Sequence, residues 1–462
     1  MWQKIKNTYH LGIAVLANLF YGFPSQKLRV IGVTGTDGKT TTVSLIYHIL
    51  DSVGFNASMV TSVGAIVGGK QYDVGFHVTT PSPWALQRFL RKAVESSDNK
   101  AVRSGEELQE VRHSGEEERR LQNLSTCSMV QGDSGRAHSP LARMTICKMS
   151  YLVLEVTSHA IDQNRIWGIP FDVGVLTNVT HEHLDYHKTY NNYVGTKVKL
   201  LKMAKTAVVN KDDESYESIK DKVLSIKNKR KVITYGLSKN SDVSPESFPF
   251  KTNMIGKFNI YNSLAAIVAC KALRISDEDI RRGLKSFQPP LGREDIVYDK
   301  DFKVMIDFAH TPNAFDQILS AIRLNIKGRL IHVFGSAGQR DASKRPLMGE
   351  ASSKYADVII LTAEDPRSEK ISDIMDDIVS GIQNSKFKIQ NYNSKFKSED
   401  REKIFFKIPD RQDAINFAIK IAKKDDFVLI TGKSHEKSMN YGQGEVTWDE
   451  YRAVKDALAK TI

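Results

Sequence analysis

From Lys27 onward, short apolar runs alternate with stretches in which apolar residues recur every three or four positions. This alternation predicts a mostly parallel sheet covered by helices on both faces. Runs at Arg29 to Val33, Tyr151 to Val156, Val173 to Leu176 and Ala207 to Val209 read as strands of a first α/β domain. Helices are expected over Thr41 to Ser52, stopped by Gly54, and over Asn259 to Ala272. A second α/β series follows, with strands at Lys303 to Ile306, Leu330 to Phe334, Val358 to Leu361 and Phe427 to Ile430. Between the two series, Gln288-Pro-Pro-Leu-Gly292 turns to proline and glycine and suits a hinge. The expected organisation is therefore a short helical segment at 1–28, a central α/β domain at 29–287 and a second, Rossmann-like α/β domain at 288–462.

Two stretches depart from the alternation. Leu11 to Phe23 is apolar and follows Lys4 and Lys6, yet it is too short to span a bilayer as a straight helix and lacks a small-residue cleavage site. An amphipathic or buried helix, able to touch the inner face of a membrane, is the expectation. Residues 97–148 are polar and charged, with Arg103-Ser-Gly-Glu-Glu-Leu108 weakly echoed in Arg112-His-Ser-Gly-Glu-Glu-Glu-Arg-Arg-Leu121. This segment is expected to be an insertion, disordered or a small helical excursion, without chemistry of its own.

Composition narrows the function classes. At 462 residues with 41% apolar content the chain is long enough for two or three packed domains. Cys127, Cys147 and Cys270 are too few and too scattered for a disulfide framework or a zinc site, so a reducing cytoplasm is the simplest home. The formal charge of +12 calls for acidic partners. No basic run is interleaved with aromatics as a nucleic-acid groove requires, so polyanionic metabolites rank ahead of DNA or RNA.

The first candidate chemistry lies in Val30-Ile-Gly-Val-Thr-Gly-Thr-Asp-Gly-Lys-Thr-Thr-Thr42, an apolar strand running into a glycine-rich turn and a helix. Gly32, Gly35 and Gly38 are expected to let the backbone turn so that N–H groups of Thr36, Asp37 and Thr41 can face a phosphate, with the Lys39 charge near the outer phosphates. The Thr40 hydroxyl can hold magnesium there. Glu155, ending an apolar run, can complete that metal's oxygen shell. Downstream come His181, His183 and His187, then Lys197 and Lys199. With no cysteine nearby, His183 on a second magnesium is preferred over zinc, and simple hydrogen-bonding histidines remain the alternative.

The set Gly32 to Thr42, Thr79-Thr-Pro81, Glu155-Val-Thr-Ser-His-Ala160, His183-Leu-Asp-Tyr-His187, Ile255-Gly-Lys-Phe-Asn-Ile-Tyr-Asn262, Asp307-Phe-Ala-His-Thr-Pro312 and Arg340-Asp-Ala-Ser-Lys-Arg-Pro346 resembles the Mur ligases. Within them it is most similar to the MurE type, which adds the third amino acid to the peptidoglycan stem peptide. The resemblance implies a P-loop central ATPase domain and a C-terminal Rossmann-like domain using ATP and two magnesium ions. It implies that Lys197 is carbamylated by carbon dioxide, becoming an anion able to join His183 on magnesium. Asn259 and Asn262 match the adenine-side asparagines, and Arg293, Asp307 and His310 match residues of the C-terminal domain that close over ATP. Thr79, Thr80, Ser158 and Arg165 match positions that hold a UDP-muramyl dipeptide.

The same resemblance locates an amino-acid pocket at Arg340, Asp365, Arg367, Gly432 and Glu436. Ligases selecting meso-diaminopimelate carry Asp-Asn-Pro-Arg there, and this chain has Glu364-Asp-Pro-Arg367. Arg367 keeps a clamp for a carboxylate, Asp365 is expected to add a negative charge beside it, and Glu436 suits the amine of the same end. Diaminopimelate is favoured over lysine. Family members usually carry a further domain ahead of the phosphate cradle that grips the uridine diphosphate; here only 29 residues precede Val30. A lipid-linked acceptor, a folylpolyglutamate-synthase-like activity and a non-catalytic nucleotide-binding role stand as alternatives. A monomer working in the cytoplasm, with the hinge near Gly292 closing before chemistry, completes the expectation.

Overall fold

The computed structural model describes residues 2–74, 80–97, 149–180, 182–227, 230–382, 387–389 and 403–461. The expected insertion, with Cys127 and Cys147, lies almost wholly outside the described residues, as do Thr79 and His181. The chain divides into two units, the first comprising Met1–His181, His187–Asn253 and Asn259–Gln288, the second Glu182–Tyr186, Met254–Phe258 and Pro289–Ile462.

The first unit opens with α1 (Trp2–Tyr21), β1 (Arg29–Thr34), α2 (Lys39–Ser52), β2 (Asn56–Val60), β3 (Ala65–Val67) and β4 (Lys70–Tyr72). It continues with α3 (residues 83–97), β5 (Ser150–Glu155), α4 (Ser158–Asp162) and β6 (Phe171–Leu176). After the short α5 (Leu184–His187), whose first three residues belong to the second unit, come α6 (Tyr190–Met203), β7 (Thr206–Asn210), α7 (Ser215–Lys227), β8 (Lys231–Tyr235), α8 (Lys257–Ala272), whose first two residues also belong to the second unit, and α9 (Asp277–Ser286). The strands form one sheet in the order β4-β3-β2-β5-β1-β6-β7-β8, parallel from β2 to β8 with β3 and β4 antiparallel at one edge. Every residue of β5 and β6 is buried, which is why these strands read as continuous apolar runs instead of alternating ones.

The second unit contains β9 (Asp295–Asp299), β10 (Lys303–Asp307), α10 (Pro312–Arg323), β11 (Leu330–Phe334), α11 (Lys344–Tyr355), β12 (Val358–Leu361) and α12 (Ile371–Ile382). Then follow β13 (Phe387–Ile389), β14 (Lys403–Lys407), α13 (Arg411–Ile421), β15 (Phe427–Thr431), the hairpin β16 (Ser438–Asn440) and β17 (Glu445–Thr447), and α14 (Glu450–Thr461). Its sheet runs β13-β14-β12-β11-β15-β10-β9, parallel except for β9 against β10. Alternate residues serve two cores: Leu330 and Phe334 join Phe315, Met348 and Ile378 on one face, while Ile331 and Val333 join Phe406, Ile415 and Val454 on the other.

The chain is thus an α/β protein, as the apolar alternation implies. Helices α2 and α8 each begin two residues before the expected start, and Gly32 lies inside β1 rather than in the turn after it. Its role is packing: a Cβ there would come 2.7 Å from the Phe171 ring.

A buried ion pair holds the far side of the second sheet. Arg411 and Glu450 are both fully buried; Glu450 accepts from Arg411 Nε at 2.9 Å and from Trp448 Nε1 at 2.7 Å. Arg411 also donates to Thr431 O at 2.7 Å and Ala363 O at 3.1 Å, so its guanidinium ties α13, α14 and the end of β15 together. Glu450→Gln leaves a buried cation without its counter-charge and is expected to cost about 3–5 kcal/mol in urea unfolding, with Arg411→Met in the same chain recovering most of it. A loss below about 1 kcal/mol for the single variant would refute that account.

Candidate active site

In the first unit the carboxyl end of β1 runs into a loop that enters α2 through Gly38, at φ 78°. No side chain caps this helix, so its first-turn N–H groups are open to an anion, which the helix dipole also favours. The loop is closed against side chains: a Cβ on Gly35 would lie 1.8 Å from Thr177 Oγ1, and one on Gly38 2.1 Å from Asn262 Oδ1. Its backbone is pinned from β6, since Asp37 N donates to Asn178 Oδ1 at 2.8 Å and Asp37 O accepts from Thr177 Oγ1 at 2.7 Å. Thr36 Oγ1 accepts from Thr180 N at 3.0 Å, and Lys39 Nζ donates to Thr36 O at 2.7 Å. Thr41 is half-buried on the first turn of α2. Asn262 Nδ2 donates to Asn259 Oδ1 at 2.9 Å, which fixes the amide that faces Gly38.

Beside this loop the structure gathers hard oxygen donors. Thr40 Oγ1 donates to Glu155 Oε2 at 2.9 Å, Ser62 N donates to the same oxygen at 3.1 Å, and Ser62 Oγ lies 3.2 Å from Thr40 Oγ1. Three oxygens from α2, the end of β5 and the loop after β2 suit a small hard cation next to a phosphate site. Sequence reasoning missed Ser62; its one signal is a hydroxyl just beyond β2, the strand neighbouring β5. Among the described residues, no three or more His, Cys, Asp or Glu side chains form a metal cluster.

The other two expected metal residues are Lys197 and His183. Lys197, on α6 and buried, donates from Nζ to Gly35 O at 2.5 Å and sits 4.4 Å from the Tyr193 ring centre. His183 belongs to the second unit, at a left-handed φ of 56°, with Nε2 3.7 Å from one oxygen of Glu182; His310 Nε2 lies 3.7 Å from the other.

A second group in the first unit unites Thr80, Ser158 and Arg165. Thr80 Oγ1 donates to Glu155 O at 3.0 Å and accepts from Thr157 N, while Thr80 O accepts from Arg165 Nη1 at 3.0 Å. Ser158 Oγ lies 2.9 Å from His187 Nε2.

In the second unit, Asp307 at the end of β10 accepts from Glu294 N at 2.8 Å and Ala309 N at 2.7 Å. Burial pushes its carboxyl up, opposed by the Arg293 guanidinium, which also lies 4.5 Å from the Phe308 ring centre. Burial and the nearby Lys344 ammonium push the His310 imidazole down; Lys344 Nζ donates to His310 O at 2.8 Å.

The residues after β12 and β15 form the second unit's charged cluster. Asp365 Oδ1 accepts from Lys433 Nζ at 2.9 Å and Asn440 N at 3.0 Å, and Glu436 Oε2 accepts from Lys433 Nζ at 2.6 Å. The negative charge expected of Asp365 beside Arg367 is met by buried Lys433, while Arg367 Nη1 donates to Gly338 O at 2.8 Å. Lys433, which sequence reasoning passed over, holds both acids. Asp365 and Arg367 take left-handed backbone angles, φ 42° and 52°, marking a tightly formed loop. A Cβ on Gly432 would lie 2.3 Å from Glu364 Oε2, so glycine is required there. Arg340 is exposed, two residues after Gly338, whose carbonyl accepts from Arg367.

Comparison with known proteins places the chain in a family. The family model described as Mur ligase middle domain matches residues 33–126 and 130–270, and that described as Mur ligase, glutamate ligase domain matches 292–434. The chain is 32% identical to UDP-N-acetylmuramoyl-L-alanyl-D-glutamate--2,6-diaminopimelate ligase 1 of Clostridium acetobutylicum, over 96% of this chain and 81% of that protein. A solved structure of a UDP-N-acetylmuramoyl-L-alanyl-D-glutamate--2,6-diaminopimelate ligase is 25% identical with a TM-score of 0.54, covering 94% of this chain and 78% of that one. Folylpolyglutamate synthase of Mycobacterium tuberculosis shares the fold alone, at 15% identity and a TM-score of 0.59, covering 91% of this chain and 92% of its own.

Glu364 supplies a pH test. Burial raises its carboxyl to about 7 despite Lys344, Arg411 and Lys433, and Oε2 has no hydrogen-bond partner among the described residues. The folded state therefore holds this proton more tightly than the unfolded chain, where the ordinary value is 4.5. The resulting stabilisation is full below 4.5 and is lost as pH rises through about 7. Relative to Glu364→Gln, the wild type is expected to lose up to about 3 kcal/mol between those limits in unfolding experiments. Parallel pH profiles for the two proteins would show that Glu364 ionises as it does in water.

Proposed function

The chain belongs to the Mur ligase family, and from that premise we propose that it joins meso-diaminopimelate to the D-glutamate carboxylate of UDP-N-acetylmuramoyl-L-alanyl-D-glutamate at the expense of ATP. The observation that carries the reading is the uncapped start of α2 set beside the Thr40, Glu155 and Ser62 oxygens. An anion cradle with a hard-cation shell at its mouth is what phosphoryl transfer requires.

ATP would lie with its phosphates on the Gly35–Thr41 loop and its adenine near Asn259 and Asn262, with Arg293, Asp307 and His310 serving the nucleotide from the second unit. Magnesium would be held by Thr40 and Glu155, and a second ion by His183 and a carbamate on Lys197; when bound, these ions neutralise charge on the transferred phosphoryl group. Lys39 adds a fixed positive charge on the same side. The acceptor carboxylate, positioned by Thr79, Thr80, Ser158 and Arg165, attacks the γ-phosphorus, giving an acyl phosphate and ADP. The amine then attacks the acyl carbon, and inorganic phosphate leaves from a tetrahedral intermediate. No covalent bond to the protein forms. The Lys197 ammonium would first lose a proton, and its free amine would then add to carbon dioxide with loss of a second, so that two protons leave and the cation beside the Gly35 carbonyl becomes an anion.

Diaminopimelate is preferred to lysine because its distal end carries both charges. Arg367 would present a planar fork to the carboxylate and Glu436 would face the ammonium, with Arg340 and Gly432 completing the pocket. Lys433 keeps Asp365 from competing for that fork. The protein works as a monomer in the cytoplasm on soluble nucleotide precursors of the cell wall, with residues 29–287 and 288–462 as its two catalytic lobes.

Phosphate release from ATP is expected to require both the muramyl dipeptide and diaminopimelate, with lysine giving little. Oxygen-18 placed in the acceptor carboxylate is expected in the released phosphate; release without acceptor, or phosphate free of label, overturns the reading. Lys197→Ala is expected to lower kcat by at least about a hundredfold, with partial rescue by short carboxylates. Carbon-13 bicarbonate is expected to give a carbamate signal in the wild type that the variant lacks, and equal spectra would dismiss the modification.

A further inference from the structure

Helix α1 is seated with its small residues inward. Ala14, Ala17 and Asn18 are buried, and Asn18 Nδ2 donates to Trp167 O at 3.0 Å. Four large residues point the other way: Leu16, Leu19 and Phe20 are 59%, 60% and 73% exposed and Tyr9 is 67% exposed, while Leu11, Ile13, Val15 and Tyr21 are half-buried. At about 100° per residue these four fall within an arc of roughly 100° opposite the buried face. A helix docked on a globular core usually turns its large apolar side chains inward, and these four are turned to solvent.

The apolar stripe continues onto α3 and there acquires charge. Phe20 contacts the ring of Trp84 at a centroid distance of 5.4 Å, and Trp84 is 40% exposed. Arg88 and Arg91, one and two turns further on, are exposed on the same face of α3 as Trp84. An apolar band edged by an indole, a phenol and arginines is the chemistry of the lipid–water boundary. No helix among the described residues is long and apolar enough to cross a membrane. We propose that the outer face of α1, together with Trp84, Arg88 and Arg91, rests in the headgroup layer of an anionic bilayer, holding the protein on the membrane surface without spanning it. Charge favours lipid over a second copy of this chain, because a net +12 protein repels itself and is drawn to anionic headgroups.

The full chain is expected to sediment with vesicles of phosphatidylcholine containing roughly one third phosphatidylglycerol, and at least about tenfold less with phosphatidylcholine alone. Leu16→Glu with Phe20→Glu is expected to abolish sedimentation while leaving the thermal midpoint and ATP turnover in solution unchanged, since both side chains are solvent-exposed and neither is among the residues assigned to the site. Arg88→Glu is expected to weaken binding to anionic vesicles by about fivefold and to reduce its salt dependence. Wild-type protein left in the supernatant with anionic vesicles at low salt overturns the proposal, as does sedimentation of the double variant equal to wild type. A concentration-dependent dimer in light scattering, lost in the double variant, would assign the face to a second copy instead.

Discussion

Burial of the Glu155 carboxylate at the end of β5 is the constraint around which the first unit is arranged. A charge that deep must be met by donors, and a helix start and the loop after a neighbouring strand converge to supply them. Thr40 comes from α2, Ser62 from the loop after β2, and Thr80 reaches the Glu155 carbonyl from the start of the segment leading to α3. Each partner is itself part of the proposed chemistry, so the interactions that satisfy the fold are the ones a phosphate and a cation would use. The parallel sheet makes this possible by delivering all its carboxyl ends to one edge.

The second unit solves a different electrostatic problem. Its loops after β12 and β15 carry Glu364, Asp365, Arg367, Lys433 and Glu436 within a short span of space, and most of these groups are buried. Lys433 divides its charge between Asp365 and Glu436, leaving Arg367 with a single carbonyl partner in this network. The acidic replacement in Glu364-Asp-Pro-Arg367 is therefore compatible with a carboxylate-binding fork. Behind it, Arg411 bound to Glu450 and to the Ala363 and Thr431 carbonyls fixes the backbone from which those loops spring.

Much of the fold was legible in the chain because parallel strands buried on both faces announce themselves as unbroken apolar runs. Leu330–Phe334 and Val358–Leu361 coincide with their expected bounds at both ends. Unread strands include Lys70–Tyr72, which is mostly exposed, and Lys403–Lys407, which begins and ends in lysine, but also the largely buried Asn56–Val60, whose apolar residues are interrupted by Ser58. Glycines misled in one respect, since composition cannot tell a glycine that turns the chain from one, such as Gly32, that makes room for a ring from the neighbouring strand.

By itself the sequence determined the α/β class, the phosphate-binding loop, the motif residues and the family, because each of these depends on residue types at short separations along the chain. Tertiary structure alone decided that Ser62 joins Thr40 and Glu155, that Lys433 rather than Arg367 takes the Asp365 charge, and that α1 turns Leu16, Leu19 and Phe20 outward. These outcomes rest on contacts between residues 22 to 93 positions apart, or on which face of a helix is covered, and a buried charge takes its partner from whatever the fold brings within reach.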